Sequence, residues 1–295
     1  MTPDRPDFVA LPELLARHAL ARPETPALSC GDRRWSWRGF DARTDRIAAL
    51  LQARGIGPGA SVALCAGTSL DAVAVFVGAL RAGAAIVPLA PGSTPEQLLA
   101  MAADAGARLL FGDAAAEGVP WPEGLARVAI GEDPAVLDAA LPPEGTRPQP
   151  VAIDPAWPFN IIYSSGTTGT PKGIVQPHAM RWAHIQRAAA SGYGPAAVTL
   201  IATPLYSNTT LVCLIPTLAY GGHAVLMPKF DARGYLELAQ RHRATHTMLV
   251  PVQYRRLMDL PDFDRFDLAS IQQKFCSSEP FPAEIKAEVL RRWAH

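Results

Sequence analysis

Apolar residues recur along this chain in two alternating patterns. Some stretches repeat them at helical spacing, and others place them in short continuous runs bounded by glycine or proline. The first pattern is typical of helices and the second of buried strands. Their alternation predicts an α/β fold with a largely parallel sheet and helices on both faces. In the first part of the chain the predicted helices are residues 11–21, 41–52, 71–82 and 94–105, and the predicted strands are residues 61–66, 84–89 and 108–111, with a β-hairpin over residues 27–37.

A proline-rich stretch separates this first part from a second one. Residues 112–157 have little periodicity and include Pro142 and Pro143, which is typical of a connector lying across a surface. We therefore predict two α/β subdomains, residues 1–150 and residues 151–295. The second continues the alternation, with predicted strands at residues 159–163, 173–176, 199–203, 224–227, 247–250 and 273–277 and predicted helices at residues 177–187, 235–243, 254–260 and 283–293.

Composition and charge exclude several classes of protein. The 295 residues are 49% hydrophobic, which is ample for a core, and 27 basic side chains balance 27 acidic ones. Because no basic block or stripe occurs, nucleic acid is not an expected partner. The apolar run at residues 72–90 contains Arg81, Gly83 and Pro88, which favours a buried helix turning into a buried strand over a membrane span. Residues 1–21 lack the pattern of a signal peptide.

The cysteine and histidine spacings indicate neither a disulfide framework nor a metal site. His242 and His246 are four residues apart, which would suit two ligands on one helix face, but the chain leaves the predicted helix between them. No carboxylate or cysteine accompanies the pair, so we predict no metal site there. The cysteines lack C-x-x-C spacing and are expected to be reduced thiols in a cytoplasmic protein. They are Cys30, Cys65, Cys213 and Cys276.

Residues 159–173, which read F-N-I-I-Y-S-S-G-T-T-G-T-P-K-G, carry the clearest candidate chemistry. A predicted strand leads into a loop of hydroxyl residues and glycines that Pro171, Lys172 and Gly173 close. Glycines let backbone N–H groups converge on an anion, hydroxyls add donors, and lysine adds a full positive charge. We therefore predict a polyphosphate-binding loop, with a ligand-free surface loop as the alternative. Its members before the closing residues are Ser164, Ser165, Gly166, Thr167, Thr168, Gly169 and Thr170.

The common nucleotide-binding loop does not fit this string. A Walker A motif reads G-x-x-x-x-G-K-(S/T), and Gly166 and Lys172 have the right separation. However, Pro171 stands where the second glycine belongs, and Gly173 stands where the magnesium-binding hydroxyl belongs. Proline also removes one of the N–H donors that such a cradle requires. The loop is therefore not a Walker A loop.

The string resembles the (S/T)-S-G-T-T-G-x-P-K-G signature of the acyl-adenylate-forming superfamily. That superfamily includes acyl-CoA synthetases, luciferases and the adenylation domains of peptide synthetases. Residues 35–40, 55–64 and 80–91 are also similar to superfamily strings. The resemblance extends over most of the chain and implies stacked, largely parallel sheets flanked by helices, as in the large N-terminal domain of adenylate-forming enzymes.

Two strings in the second half resemble further superfamily motifs. Residues 204–211 are similar to P-x-F-H-x-x-G-L, with Ser207 in place of the histidine and Thr210 in place of the glycine. Residues 277–282 are similar to strings whose backbone contacts adenine. Ser277 and Ser278 stand where relatives have glycine, which is tolerable if the backbone needs no positive φ there. Because ligands of open parallel sheets bind at the carboxyl ends of strands, we expect these two segments and the phosphate loop to line one cleft.

The resemblance implies a role for each matching residue. The phosphate loop would hold the β and γ phosphates of ATP, and Thr167 and Lys172 are the implied catalytic residues. The implied nucleotide-binding set continues with Ser278, Glu279 and Pro280 at the adenine. The implied substrate pocket consists of Tyr206, Ser207, Asn208 and Ser277.

The resemblance also implies the reaction and its cofactors. A carboxylate would attack the α-phosphorus of ATP to give an acyl-adenylate, and coenzyme A would then displace AMP as the co-substrate. The main Mg²⁺ ligand and a small lid domain are expected beyond residue 295, so we expect this fragment alone to lack turnover. The expected partners are a small carboxylic acid, ATP and coenzyme A, with a homodimer as a further candidate.

Three functions remain open at this stage. The first is the N-terminal portion of an AMP-forming carboxylic acid:CoA ligase. The second is an amino-acid-activating adenylation module that loads a carrier protein. The third, from another class, is a non-catalytic nucleotide-binding remnant.

Overall fold

The computed structural model describes residues 8–164 and 172–293, and in these ranges short strands alternate with helices. Most strands are four to six residues long, as the short apolar runs predict. The strands are β1 (Pro26–Cys30), β2 (Arg33–Ser36), β3 (Ser61–Cys65), β4 (Ala85–Leu89), β5 (Ala107–Gly112), β6 (Ala126–Ala129), β7 (Pro158–Ser164), β8 (Lys172–Pro177), β9 (Val198–Ile201), β10 (His223–Leu226), β11 (His246–Leu249) and β12 (Gln273–Cys276).

Several helices begin after a residue whose side chain accepts from their free N–H groups. The Ser69 side chain caps one helix, and Thr94 forms a capping box with Gln97 at the next. The helices are α1 (Leu11–Ala21), α2 (Trp37–Ala53), α3 (Leu70–Arg81), α4 (Pro95–Asp104), α5 (Ala114–Glu117), α6 (Pro134–Asp138), α7 (His178–Ala188), α8 (Asn208–Ala219), α9 (Ala232–Arg241), α10 (Pro251–Met258) and α11 (Ala283–Arg292).

The chain divides into two compact units, each with one six-stranded sheet. The first unit comprises the chain up to Glu24 and Trp37–Gln186, and its strand order is β6-β5-β3-β4-β7-β8. The second comprises Thr25–Ser36 and the chain from Arg187 onward, with the order β12-β11-β9-β10-β1-β2. Parallel pairs predominate, and the pairs β7–β8 and β1–β2 are antiparallel. The predicted α/β class with largely parallel sheets and flanking helices is confirmed.

The strands on either side of the predicted phosphate loop belong to the first unit. β7 pairs in parallel with β4, where Asn160 lies opposite Ile86, and in antiparallel fashion with β8. The division between the units falls after Gln186. The domain limits 1–150 and 151–295 stay a prediction. In the first sheet, the β7–β8 hairpin on either side of the loop lies beside β4.

The stretch predicted as an irregular connector contains one strand of the first sheet. β6 pairs in parallel with β5, with Val128 opposite Phe111. Only Val128 of its four residues is buried. A strand this short, with a single buried position, shows no apolar period, so the pattern of hydrophobic residues could not reveal it.

The long apolar run of the first unit forms a buried helix followed by a buried strand, as predicted. Helix α3 packs closely on α2 because Gly78 has no side chain, and a Cβ there would lie 2.5 Å from Cγ2 of Ile47. The positions of α3 from Leu70 to Leu80 are all buried, and so is β4. Across the described ranges, no helix combines the length and the apolar character that a membrane crossing requires.

Three neighbouring strands of the second sheet, β9, β11 and β12, end at the same edge of that sheet. β11 pairs in parallel with β9 on one side and with β12 on the other. In this register Met248 lies opposite both Ile201 and Phe275, so the three carboxyl ends are aligned. A cluster that includes Leu249, Tyr254 and Trp293 fills the core beneath them. The segments that follow β9 and β12 therefore leave the sheet on either side of β11.

Candidate nucleotide and acyl site

The hairpin of β7 and β8 frames the predicted phosphate loop in the first unit. The register pairs Ser164 with Lys172 and Tyr163 with Gly173. The Lys172 side chain is exposed at the first position of β8. Ser165, Gly166, Thr167, Thr168, Gly169 and Thr170 lie outside the described residues, so their predicted roles stay predictions.

A tyrosine and an aspartate hold the end of this hairpin. The Tyr163 hydroxyl donates to Oδ2 of Asp104, at the end of α4, over 2.5 Å. Burial, the hydrogen bond to Asp104 and the charge of that carboxylate all raise the pKa of Tyr163, so the phenol stays protonated. Gly173 leaves room for this contact, because a Cβ there would lie 3.2 Å from the Asp104 carboxylate and the Tyr163 ring. Lys172 is thus attached to a fixed hairpin end.

A buried arginine holds the hairpin a few residues further from the loop. Arg181 of α7 donates from Nε and Nη2 to Oδ1 of Asn160, over 3.0 and 2.9 Å. It also donates to Gln176, which lies opposite Asn160 and accepts from its amide over 2.8 Å. Arg181 is 1% exposed, and burial lowers its pKa to about 10, so it remains charged at neutral pH. One guanidinium therefore joins α7 to both strands of the hairpin.

In the second unit, the first candidate segment follows β9. Residues 204–211, which resemble the second superfamily motif, lie partly in a helix, because α8 begins at Asn208. Ser207 is the N-cap, and its hydroxyl accepts from the N–H of Thr209 over 3.2 Å. Ser207 and Asn208 of the predicted substrate pocket therefore lie at a helix start.

Thr210, which stands where relatives have glycine, is buried and forms hydrogen bonds within the protein. Thr210 is fully buried, and its Oγ1 lies 2.7 Å from Oγ1 of Thr203. It also lies 2.6 Å from the carbonyl oxygen of Pro204, to which the hydroxyl donates. The hydroxyl thus binds the chain that leaves β9 to the first turn of α8.

The segment after β12 contains a strained serine. Ser278 has a φ of 81°, in the left-handed region that L-residues rarely adopt. The backbone therefore does need positive φ at this position, although a serine stands where relatives have glycine. The preceding residue, Ser277, is anchored by its N–H to the carbonyl of Leu249 over 3.2 Å. Ser278, Glu279 and Pro280 are exposed.

One hydrogen bond joins the two candidate segments of the second unit. Oγ1 of Thr209 lies 2.7 Å from Oγ of Ser278, and either hydroxyl can donate. Thr209 is 6% exposed. The structure therefore brings Ser207 and Asn208 of the predicted substrate pocket to Ser278 of the predicted adenine segment. Sequence reasoning missed Thr209, since a threonine in a polar string carries no signal of its own.

The histidines and cysteines of the described chain form no metal centre. His246 lies in β11, where its ring nitrogens contact Oγ1 of Thr245 and the carbonyl of Ser191 over 2.7 and 2.8 Å. His242 is the C-cap of α9, so the two histidines do not share a helix face. In the ranges that the structure describes, no group of three His, Cys, Asp or Glu side chains could hold a metal ion.

The sequence matches a known protein family and several curated proteins. A family model described as AMP-binding enzyme matches residues 15–295. The chain is 28% identical over 306 aligned residues to phosphinothricin tripeptide synthetase PhsB of Streptomyces viridochromogenes, covering 99% of the chain and 25% of that protein. It is 30% identical over 284 aligned residues to a feruloyl-CoA synthase of an Amycolatopsis species, covering 94% of the chain and 56% of that protein.

A solved structure shares the fold. The anthranilate CoA ligase AuaEII in complex with anthranoyl-AMP matches with a TM-score of 0.89 at 23% identity, over 98% of the chain and 58% of that structure. The chain therefore has the fold of adenylate-forming enzymes. It spans a quarter of the length of the peptide synthetase and just over half that of the feruloyl-CoA synthase.

Proposed function

The chain belongs to the AMP-binding enzyme family, and we propose that it is part of an enzyme that activates a carboxylic acid with ATP and transfers the acyl group to coenzyme A. The observation that carries this proposal is the family match together with the hairpin that ends at Lys172. That hairpin presents Lys172 from a braced base, and in the sequence hydroxyl residues and glycines stand between its two strands. Such a loop suits a polyphosphate.

The first step would make the carboxylate a better electrophile. A carboxylate oxygen attacks the α-phosphorus of ATP, the bond from that phosphorus to the bridging oxygen breaks, and pyrophosphate leaves with its electron pair. Catalysis of phosphoryl and nucleotidyl transfer is chiefly positioning and neutralisation of charge on the phosphate oxygens. We assign this role to Lys172 and to the loop that includes Thr167, with Ser278, Glu279 and Pro280 at the adenine.

The second step would use a thiol. The sulfur of coenzyme A attacks the acyl carbon of the adenylate, the thiol proton is lost, and AMP leaves. The similarity to a feruloyl-CoA synthase supports coenzyme A as the acceptor. The proposed acyl pocket consists of Tyr206, Ser207, Asn208 and Ser277. Mg²⁺ would accompany ATP.

A second candidate acceptor is a carrier protein. The similarity to a tripeptide synthetase, which covers 99% of this chain, favours an amino-acid-activating module that hands its product to a carrier domain. The first half-reaction is the same in both candidates, so only the acceptor distinguishes them.

An exchange assay followed by a thioester assay tests these proposals. Because the chain spans 56% of the feruloyl-CoA synthase, the assays use the whole gene product that contains it. We expect exchange of radioactive pyrophosphate into ATP with at least one acid of an aromatic, aliphatic and amino-acid panel, and then an acyl-CoA thioester. Exchange without a CoA thioester would favour the carrier protein, and no exchange with any acid would favour a non-catalytic nucleotide-binding protein.

A lysine substitution tests the proposed contact with phosphate. We expect Lys172→Met to lower the exchange rate about a hundredfold, the cost typical of losing one electrostatic contact with the transition state. Lys229→Met is the matched control, because Lys229 is an exposed lysine in the second unit, outside every candidate segment. Equal rates for the two variants would contradict the role of Lys172.

A further inference from the structure

We infer that the hydrogen bond between Thr209 and Ser278 is a positioning device that sets the adenine-binding backbone in its binding conformation before the nucleotide arrives. The inference rests on the proposed function, because it assumes that residues 278–280 contact a nucleotide. Thr209 and Ser278 would be positioning residues, which act through the backbone of the segment.

The backbone of Ser278 is in a conformation that needs support. A φ of 81° brings the Cβ of an L-residue too close to its own backbone, and glycine is the residue that adopts such angles freely. Strained residues of this kind persist only where the surroundings over-determine them, and they cluster at ligand sites. Ser278 therefore requires a contact that compensates for the strain.

Thr209 supplies that contact from a fixed position. Its side chain is almost fully buried, and its N–H is held by the N-cap hydroxyl of Ser207. On the other side, the N–H of Ser277 is held by the carbonyl of Leu249 at the end of β11. Ser278 is thus bonded through its hydroxyl to α8 and lies one residue after an anchor on the sheet. The chain at Ser277 and Ser278 is consequently held by both β11 and α8.

A second residue with the same backbone anomaly offers a control. Among the described residues, the non-glycine positions with positive φ are Ser278 and Arg243. Arg243, with a φ of 48°, directly follows the C-cap of α9, and its N–H bonds to the carbonyl of Gln240 over 3.1 Å. A left-handed residue is the ordinary way to end a helix, so Arg243 needs no ligand to explain it.

The test measures AMP affinity by calorimetry for the whole gene product that contains this chain and for four variants of it at Thr209 and Ser278. We expect Thr209→Val and Ser278→Ala to raise the Kd for AMP about tenfold, because the untethered residue leaves the left-handed region and the binding-competent fraction falls. Thr209→Ser keeps the hydroxyl and should bind like the wild type. Ser278→Gly should also bind within about twofold of the wild type, since glycine adopts the positive φ without a tether.

The control variant is Arg243→Gly. Like Ser278→Gly it removes the strain of a positive φ, but it should leave AMP affinity unchanged. The near-ultraviolet circular dichroism of each variant verifies that the fold is retained.

The outcomes separate this inference from the proposed function. If the wild type binds AMP and Thr209→Val and Ser278→Ala bind it equally well, the positioning role is overturned and the proposed function stands. If Ser278→Gly loses as much affinity as Ser278→Ala, the hydroxyl itself rather than the backbone angle matters, and the positioning role is again overturned. If the wild type binds neither AMP nor ATP, the proposed function fails and the positioning role with it.

Discussion

His178 shows how one buried residue makes the stability of this fold depend on pH. It is the first residue of α7, it is 2% exposed, and its ring packs edge-on against Phe159 at 5.0 Å between centroids. Burial lowers the pKa of His178 to about 4 from an ordinary value of 6.5. The imidazole is therefore neutral in the folded protein under conditions where the unfolded chain binds a proton.

We expect His178→Gln to flatten the pH dependence of unfolding. The contribution of neutral His178 is fully present above pH 6.5 and is lost as the pH falls towards 4, because only the unfolded chain gains the proton in that window. The loss reaches about 3 kcal/mol, with a slope of up to about 1.4 kcal/mol per pH unit. Urea unfolding between pH 4.5 and 7.5 measures this slope for the wild type and the variant.

A second histidine gives an internal comparison for that measurement. Burial first, and then the charges of His242 and Arg34, lower the pKa of His223 to about 4, so His223→Gln should remove a similar share of the slope. Identical slopes for the wild type and His178→Gln would show that the pKa of His178 is the same in the folded and unfolded states.

For single residues, the sequence predicts which side chains belong to the candidate site, but it does not predict their backbone angles or hydrogen bonds. The motif resemblance singled out Ser278 and Lys172, and both are exposed in the structure. It predicted neither the positive φ of Ser278 nor the hydrogen bond between its hydroxyl and that of Thr209. That partner lies far from Ser278 in the sequence and is brought to it by the folding of a different element.

Among the elements, those with local signals were predicted best. α1 covers the predicted residues 11–21, and β7 and β8 extend the predicted strands by one or two residues. α8 was missed because Pro216 lies inside it and because nearly all its positions from Thr209 onward are buried. A helix buried on every side has no amphipathic period, and an internal proline argues against a helix.

The β7–β8 hairpin yields a prediction that concerns its packing. Gly173→Ala places a methyl group 3.2 Å from the Asp104 carboxylate and the Tyr163 ring, so those neighbours or the strand must move. We expect a loss of about 1–3 kcal/mol in the free energy of unfolding, the usual cost of overpacking. We also expect weaker ATP binding, since Lys172 is the adjacent residue. Urea unfolding and ATP titration of the chain measure the two effects.

Gly118→Ala is the matched control for that substitution. Gly118 lies in the same unit with a φ of −79°, and a Cβ there would meet no atom within 4 Å. Alanine at such a position should be neutral or stabilise by about 0.4–1 kcal/mol through the unfolded state. If Gly173→Ala behaved like Gly118→Ala in both measurements, the hairpin end would not be as tightly held as its contacts indicate.

For the whole molecule, the sequence predicts the class of fold but not which segments share a sheet. The β1–β2 hairpin was predicted from its turn and is confirmed. Its place in the sheet of the second unit depends on pairing with a strand that is distant in the sequence. β1 pairs in parallel with β10, and Leu28 lies opposite Ala224. A local pattern of apolar residues is the same whichever sheet a strand joins, so periodicity alone could not assign it.

This topology makes the second unit depend on twelve residues from near the start of the chain, Thr25–Ser36. A fragment of residues 187–293 would lack β1, leave β10 as an open edge and uncover the apolar contacts of Leu28, which is fully buried in the intact chain. We expect this fragment to unfold without a cooperative transition and to lack the near-ultraviolet circular dichroism of a packed core. A synthetic peptide of residues 25–36 should restore both signals, whereas the same peptide with Leu28→Asp should not, because a charge cannot enter the core unpaired. Cooperative unfolding of the fragment without the peptide would instead mean that β9 to β12 fold alone and that the hairpin is an addition to a finished sheet.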